Sequence, residues 1–463
     1  MSLQVVAIVL ALGLLMVLAY RGLPVILFAP VCALLAAGLS GRMLLPTYTD
    51  TFMKSASDYI RAFFPLFLMG AIFGKLMEAN GSAASIAGTI ARVLGPRRAI
   101  LAVVLACAVL TYGGVSLFVV AFAVYPFASA LFREADIPKR LIPGTIALGA
   151  FTLTMDALPG SPQIQNLIPT RFFGTDAYAA PLLGITGGLM VLLGGLFWLN
   201  RRRAQAASAG EGYGSGHRNE PELNEDETRP HPALASLPLL LVLLTNFVLS
   251  RTAWSVAGWY SSKSLAQDHP AVELAVSAPT WSLIVALMVG ILTALAINPT
   301  RWKGRLSIAL TAATSGALLA IFNTASEVGF GHVVKALPGF RLIQDAVFLI
   351  SPYVLVAEAV AVNVLAGITG SASGGLSIAL EVMGSRYLEL AQSQGISPEQ
   401  LHRVASMASG GMDTLPHNGA VITLLAITGL THRESYPDIF AITVLKTVTV
   451  FTLALGASWF QGG

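Results

Sequence analysis

Met155-Asp156-Ala157-Leu158-Pro159 recurs as Met412-Asp413-Thr414-Leu415-Pro416, each copy inside an apolar stretch. A carboxylate inside a bilayer costs roughly 2.5–3.5 kcal/mol on insertion scales, so two at matching positions demand a task. Each proline removes a backbone donor and clashes with the preceding turn, so the helix must break beside each acid. Asp156 and Asp413 are therefore candidates for ion coupling: a carboxylate among unwound carbonyls could hold Na⁺, or could take up a proton once removed from water. The competing task is that of an N-cap, in which the same carboxylate accepts from backbone N–H groups where the helix restarts. Beyond the breaks, Ser161, Gln163 and Asn166 are expected to face His417 and Asn418 of the second copy. His417 is the only histidine at a break and could relay protons or serve as a plain hydrogen-bonding partner.

Two small polar runs add donors. Thr111-Tyr112-Gly113-Gly114-Val115-Ser116 interrupts the apolar stretch 99–132, and Thr369-Gly370-Ser371-Ala372-Ser373-Gly374-Gly375 interrupts 347–383. Each arm of about 14–16 residues reaches only ~21–24 Å, short of a ~30 Å hydrocarbon core, so re-entrant hairpins are expected rather than spans. A hairpin tip starts a new helix, whose free N–H groups attract an anion. Gly114, Ser116, Thr369, Ser371, Ser373 and Ser377 are the candidate substrate contacts there, joined by Ser161, Gln163 and Asn418. The alternative for such small residues is close helix packing. No Arg or Lys lies near a tip or break in the sequence, which favours one carboxylate over a highly charged substrate. Lys446 is expected to snorkel out of its span. Glu78 and Glu327 are expected as caps or surface acids at span ends, and Glu358 lies midway along a hairpin arm.

The elements that must position these residues are membrane helices. The chain has 463 residues, 55% hydrophobic and 11% charged, with mean hydropathy +0.72. Soluble domains carry about 25% charged residues, so the lipid bilayer is this chain's solvent. About ten spans are expected, near 3–20, 23–40, 57–79, 141–170, 178–199, 234–250, 280–298, 306–326, 404–430 and 438–459. Residues 3–20 read as the first span, since a basic n-region and a cleavage site are lacking. Cys32 and Cys107 lie in apolar runs, which argues against a disulfide framework or a cysteine metal site. Basic residues scattered between spans do not suggest nucleic acid. The polar segment 200–233, opening on Arg201-Arg202-Arg203, reads as a flexible cytoplasmic linker between two halves, 1–199 and 234–463.

The halves repeat. Ala71-Ile72-Phe73 with Glu78 matches Ala320-Ile321-Phe322 with Glu327. Gly113-Gly114-Val115-Ser116-Leu117 matches Gly374-Gly375-Leu376-Ser377-Ile378, and the two aspartate blocks complete a collinear set with offsets of 249, 261 and 257. Five spans and one hairpin per half place the second half upside down, an inverted repeat. Such duplication with broken helices points to a secondary transporter. An intramembrane aspartyl enzyme is disfavoured, because Gly-x-Gly-Asp, H-E-x-x-H and G-x-S-x-G are all absent.

These residues resemble the GntP family of gluconate-type permeases in the ion-transporter superfamily. The similarity runs over nearly the whole chain in span order. Its most specific pieces are Gly370-Ser371-Ala372-Ser373, similar to the family's G-S-A-T tip, and Asp413 to Gly419 in the following break. Pro159-Gly160-Ser161-Pro162 looks like a variant of the family's first break. The resemblance implies an all-α elevator with transport and scaffold domains, a homodimer in the bacterial inner membrane, and symport of a hydroxy acid with a cation, usually a proton. No cofactor beyond the coupling ion, H⁺ or Na⁺, is implied. Tyr112-Gly113-Gly114-Val115 departs from the gluconate-type Tyr-Glu-Val-Gly. It is more like the branch labelled hydroxybutyrate permeases, so a short hydroxy monocarboxylate such as 3-hydroxybutyrate is favoured over gluconate. A Na⁺-coupled di- or tricarboxylate carrier is the rival within transport.

Overall fold

A computed structural model describes residues 3–461 except 22, 116, 221–228, 252–255, 260–267, 270–271, 273, 303, 341, 343–349 and 417. Among the described residues every regular element is helical. The first half contains α1 (Leu3–Tyr20), α2 (Val25–Leu39), α3 (Leu44–Pro46), α4 (Met53–Ala79), α5 (Ser82–Leu94), α6 (Ala99–Tyr112) and α7 (Leu117–Glu134). It continues through α8 (Ile142–Ala150), α9 (Leu153–Asp156), α10 (Ile168–Phe173) and α11 (Pro181–Ser208). The second half contains α12 (Pro232–Arg251), α13 (Leu274–Ala296), α14 (Leu306–Lys335), α15 (Val354–Thr369), α16 (Ala372–Ser393), α17 (Pro398–Ser409), α18 (Gly419–Thr428) and α19 (His432–Gln461).

Six of these are long and apolar enough to cross a membrane, or seven if one bent pair counts as a span. The other expected spans fall on the shorter helices α1 and α2 and on two interrupted segments. The bent pair was not legible in the sequence. α5 leans on its neighbours with Ile86, Ala87 and Ala91 and turns 101° into the segment that contains α6. Thirteen residues with Ser, Thr and Arg among them give no spanning signal, so this helix is absent from a hydropathy reading.

Both expected hairpins fold back on themselves. α6 ends as Val115 donates its N–H to Leu110 O at 3.0 Å, with Gly114 at φ +94°. α15 ends in the same way: Ser371 N–H bonds Ala366 O at 3.2 Å, with Gly370 at φ +65°. Both are six-to-one closures around a left-handed residue, where a side chain would be strained. The Pro-containing segments break where expected. The first runs α8, α9, an open stretch 157–163, a 3₁₀ turn Ile164–Asn166 and α10. The second runs α17, an open stretch with described residues 410–416 and 418, and α18.

Arg203 donates to Arg97 O at 3.4 Å, and Arg301 lies against Gly81 and Pro230. The linker begins later than its composition suggests, because Ala204, Gln205, Ala206 and Ala207 favour helix and carry α11 to Ser208. Residues 209–220 then lie docked rather than free. Arg140 holds Glu211 through bonds of 2.6 and 2.8 Å. Glu220 accepts from Lys139 at 2.8 Å, from Tyr213 Oη and from Arg133. Burial pushes the Glu220 carboxyl up, but the bonds from Lys139, Tyr213 and Arg133 outweigh it and leave it below the usual range. Docking energy from such a lowered acid is fully present above the free carboxyl value, near 4.3, and is lost as pH falls through the lowered one. Limited proteolysis within 209–220 should therefore be slow at neutral pH and accelerate in acid, and Glu220→Gln should accelerate it at neutral pH.

Candidate functional site

Each tip packs on the break of its own half. In the second half Ser371 caps α16 by accepting from Gly374 N–H at 3.0 Å, and its Oγ stands 3.4 Å from Ser373 Oγ. Asn418 caps α18 by accepting from Ala420 and Val421 N–H at 2.6 and 3.1 Å, while its amide donates to Gly370 O at 2.7 Å. One side chain thus ties the α18 start to the tip from which α16 starts. Two helix N-termini and two part-exposed hydroxyls converge there, an arrangement suited to a small anion. Asn418→Ala removes both ties. It should raise the KM for substrate several-fold in an uptake assay, since each lost bond between neutral groups contributes about 0.5–1.5 kcal/mol.

The first half uses its polar groups internally. Tyr112 Oη donates to Pro159 O at 2.8 Å, and Gln163 donates to Thr111 O at 2.8 Å and Val115 O at 3.4 Å. Gly114 sits against Pro162 and Phe73. Ser161 is fully buried, with Oγ bonded to Thr154 O at 2.5 Å. Gln163 and Ser161 clamp the break rather than line an opening. Thr369 is likewise occupied, bonding back to Leu365 O at 3.0 Å. Ser377 lies farther along α16, beside a cavity of about 370 Å³ and away from Asn418. Ser116 and His417 lie outside the described residues.

The two breaks are joined by charge. Lys446 of α19 is 3% exposed, with Nζ 2.9 Å from Asp156 Oδ2, 3.9 Å from Asp413 Oδ1 and donating to Phe151 O at 2.6 Å. The expectation that Lys446 snorkels is thus wrong. Its ammonium finds two carboxylates within its own span depth, and ion pairing replaces the water it would otherwise seek. Gly410 makes room: a Cβ there would overlap Asp156 Oδ2 and Lys446 Nζ. Neither aspartate acts as a helix cap.

Arg403, 0% exposed, forms a second buried cation beside the first break. It donates to Asn166 Oδ1 at 2.9 Å, to Ala179 O at 2.8 and 3.0 Å and to Ala177 O at 3.2 Å. Asn166 also accepts a contact from His402 at 3.2 Å, so it faces the helix before the second break instead of Asn418. Two cations therefore stand at the breaks, although the sequence near the breaks shows none. Lys446 is 33 residues beyond Asp413, and Arg403 sits in a helix whose mean polarity masks its buried face.

Two acids were misplaced or underread. Glu78 lies at the end of α4, paired with Lys75 at 2.9 Å, as a partly exposed acid. Glu327 does not follow it: α14 extends to Lys335, so Glu327 lies within the helix and is 2% exposed. Glu358 on α15 is 0% exposed, with neither carboxyl oxygen hydrogen-bonded.

A bundle of long apolar helices, two folded-back hairpins and two interrupted helices meeting at buried charge define a polytopic transporter. Residues 1–374 match the family described as GntP family permease. The chain belongs to that family. It is 52% identical over 461 residues to the uncharacterized transporter YxjC of Bacillus subtilis strain 168, covering 97% of this chain and 98% of that one. An uncharacterized transporter of Haemophilus influenzae is 34% identical over 128 residues, 27% of this chain and 28% of its own length. The fold is similar to the crystal structure of the Alcanivorax borkumensis YdaH transporter, with TM-score 0.54 and 16% identity, covering 90% of this chain and 88% of that one.

Proposed function

We propose that this permease is a secondary symporter that carries a short hydroxy monocarboxylate, 3-hydroxybutyrate before gluconate, together with a proton. The observation that carries this reading is the convergence of the α16 and α18 N-termini on Asn418, Ser371 and Ser373. Two N-termini and neutral donors suit one carboxylate. Lys446 and Arg403 do not change that count, because their donors already face Asp156, Asp413, Asn166 and backbone carbonyls. A second or third substrate carboxylate would lack a free cation among the site residues.

Coupling is assigned to Asp156 and Asp413. Two carboxylates share one ammonium, and the longer contact leaves Asp413 the weaker partner. A proton on Asp413 leaves Lys446 neutralised by Asp156 alone, which keeps the centre uncharged while the breaks move. The movement is an elevator stroke of hairpins and broken helices against the longer helices, within an inverted repeat of 1–199 and 234–463 joined by 200–233. Homodimerisation and placement in the bacterial inner membrane, with the basic loops inside, complete the proposal.

Counterflow of labelled 3-hydroxybutyrate in proteoliposomes tests the substrate site. Ser371→Ala and Ser373→Ala should each raise KM several-fold while leaving the protein folded. Unchanged KM in the double variant would move the substrate site elsewhere.

A further inference from the structure

Glu327 is a buried acid that the coupling centre does not use. It lies on α14 one turn from Thr324, and the two share the face that meets the second tip. Thr324 Oγ1 stands 3.5 Å from Ser373 Oγ, and Glu327 Oε2 is aimed at Gly374, where a Cβ would overlap it. Oε2 has no hydrogen-bond partner, and Glu327 forms no ion pair among the described residues. On its other side stand Tyr59 and Ser377, both buried, with their hydroxyls beside each other. They border the cavity of about 370 Å³, which runs out past Arg171, His332 and Glu381.

Glu327, Tyr59 and Ser377 thus connect the cavity to the tip. A charge buried without a partner is costly, so this carboxylate requires a counter-charge. The charged groups on the packed elements are Asp50 from the turn just before α4, Lys54 and Asp58 from α4, Arg171 from α10, Glu381 from α16 and His332 from the same helix as Glu327. All line the cavity. Glu381 is occupied by His332 at 3.0 Å. α2, which also packs on α14, contributes no charged residue. Among the described residues no cation forms an ion pair with Glu327.

We propose that Glu327 is a proton-binding site that must be filled for the substrate anion to bind. The inference rests on the substrate reading above. A carboxylate seated at Ser371 and Ser373 lies next to Glu327, and two like charges in a desolvated site repel each other. The proton enters from the cavity past Tyr59 and Ser377, binds Oε2, and leaves when the tip parts from α14. Glu327 so makes anion binding conditional on protonation, a task distinct from that of Asp413, which acts on movement.

Two measurements on the same preparations test this. Infrared spectra of the substrate-free protein at neutral pH should contain a carboxylic acid C=O band that is missing in Glu327→Gln. Counterflow should show the wild-type KM for 3-hydroxybutyrate rising with external pH, approaching tenfold per unit once Glu327 ionises. KM should stay flat in Glu327→Gln and rise again in Glu327→Asp. A spectrum unchanged by Glu327→Gln, or a KM that still rises with pH in that variant, overturns the inference alone. Wild-type protein that shows no counterflow of 3-hydroxybutyrate overturns the substrate reading and the inference with it.

Discussion

Lys446→Met is expected to give a protein that is strongly destabilised and inactive. The substitution keeps the side-chain volume and removes the ammonium held between Asp156, Asp413 and Phe151 O. Two carboxylates would remain buried a few ångströms apart with no counter-charge, and breaking a buried pair in this way costs about 3–5 kcal/mol. Thermal unfolding in detergent should drop well below that of the wild type, and uptake should vanish. A triple variant, Lys446→Met with Asp156→Asn and Asp413→Asn, removes all three charges at once. It should recover most of the stability, because an uncharged centre leaves nothing uncompensated, yet remain inactive in gradient-driven uptake. Recovery of stability without recovery of transport separates the structural demand for neutrality from the demand for a proton site. A stable Lys446→Met protein would show that the ammonium does not hold the breaks together.

The two aspartates should then differ, though the sequence motif treats them alike. Asp156 makes the 2.9 Å contact to Lys446, and its carbonyl accepts from Ser406 at 2.7 Å, so it anchors the first break to the helix before the second. Asp413 stands 3.9 Å from the same ammonium. Asp156→Asn should lower stability by about 3–5 kcal/mol, the range for loss of one buried partner. Asp413→Asn should cost less than half of that. It should retain counterflow of 3-hydroxybutyrate at near wild-type rates and lose at least 90% of the accumulation driven by a pH gradient, because exchange needs no net proton movement. Parallel melting curves and counterflow assays read both halves of this expectation. Equal effects of the two substitutions would contradict the asymmetry of the charged centre.

The sequence exposed what depends on local chemistry. Pro159 and Pro416 forecast the breaks because each removes a helix donor just beyond a buried acid, whereas Pro30, Pro65 and Pro126 are carried inside helices, and Gly114 and Gly370 forecast the tips because the closures need left-handed backbone. Ser371 and Asn418 stand at helix starts, where small polar residues act on N–H groups within three residues of themselves. The partners that decide the site were not legible. Lys446 and Arg403 come from separate helices, and nothing local to them says that a carboxylate or a row of carbonyls waits across the interface. Ser161, Gln163 and Thr369 were read as substrate contacts because their chemistry allows it. Packing instead assigned them to backbone carbonyls at 2.5, 2.8 and 3.0 Å. Glu327 was misread through its repeat partner: Glu78 ends its helix, whereas α14 runs two turns farther and buries the corresponding acid. A sequence repeat aligns positions, but exposure depends on where each copy's helix stops.

The most direct test of the account is uptake of labelled 3-hydroxybutyrate into proteoliposomes, with a pH gradient and a Na⁺ gradient imposed separately. The account predicts accumulation under the pH gradient alone, abolished in Asp413→Asn while counterflow persists. Accumulation under the Na⁺ gradient alone would contradict it, since the centre between the breaks would then have to bind a metal cation where Lys446 now sits.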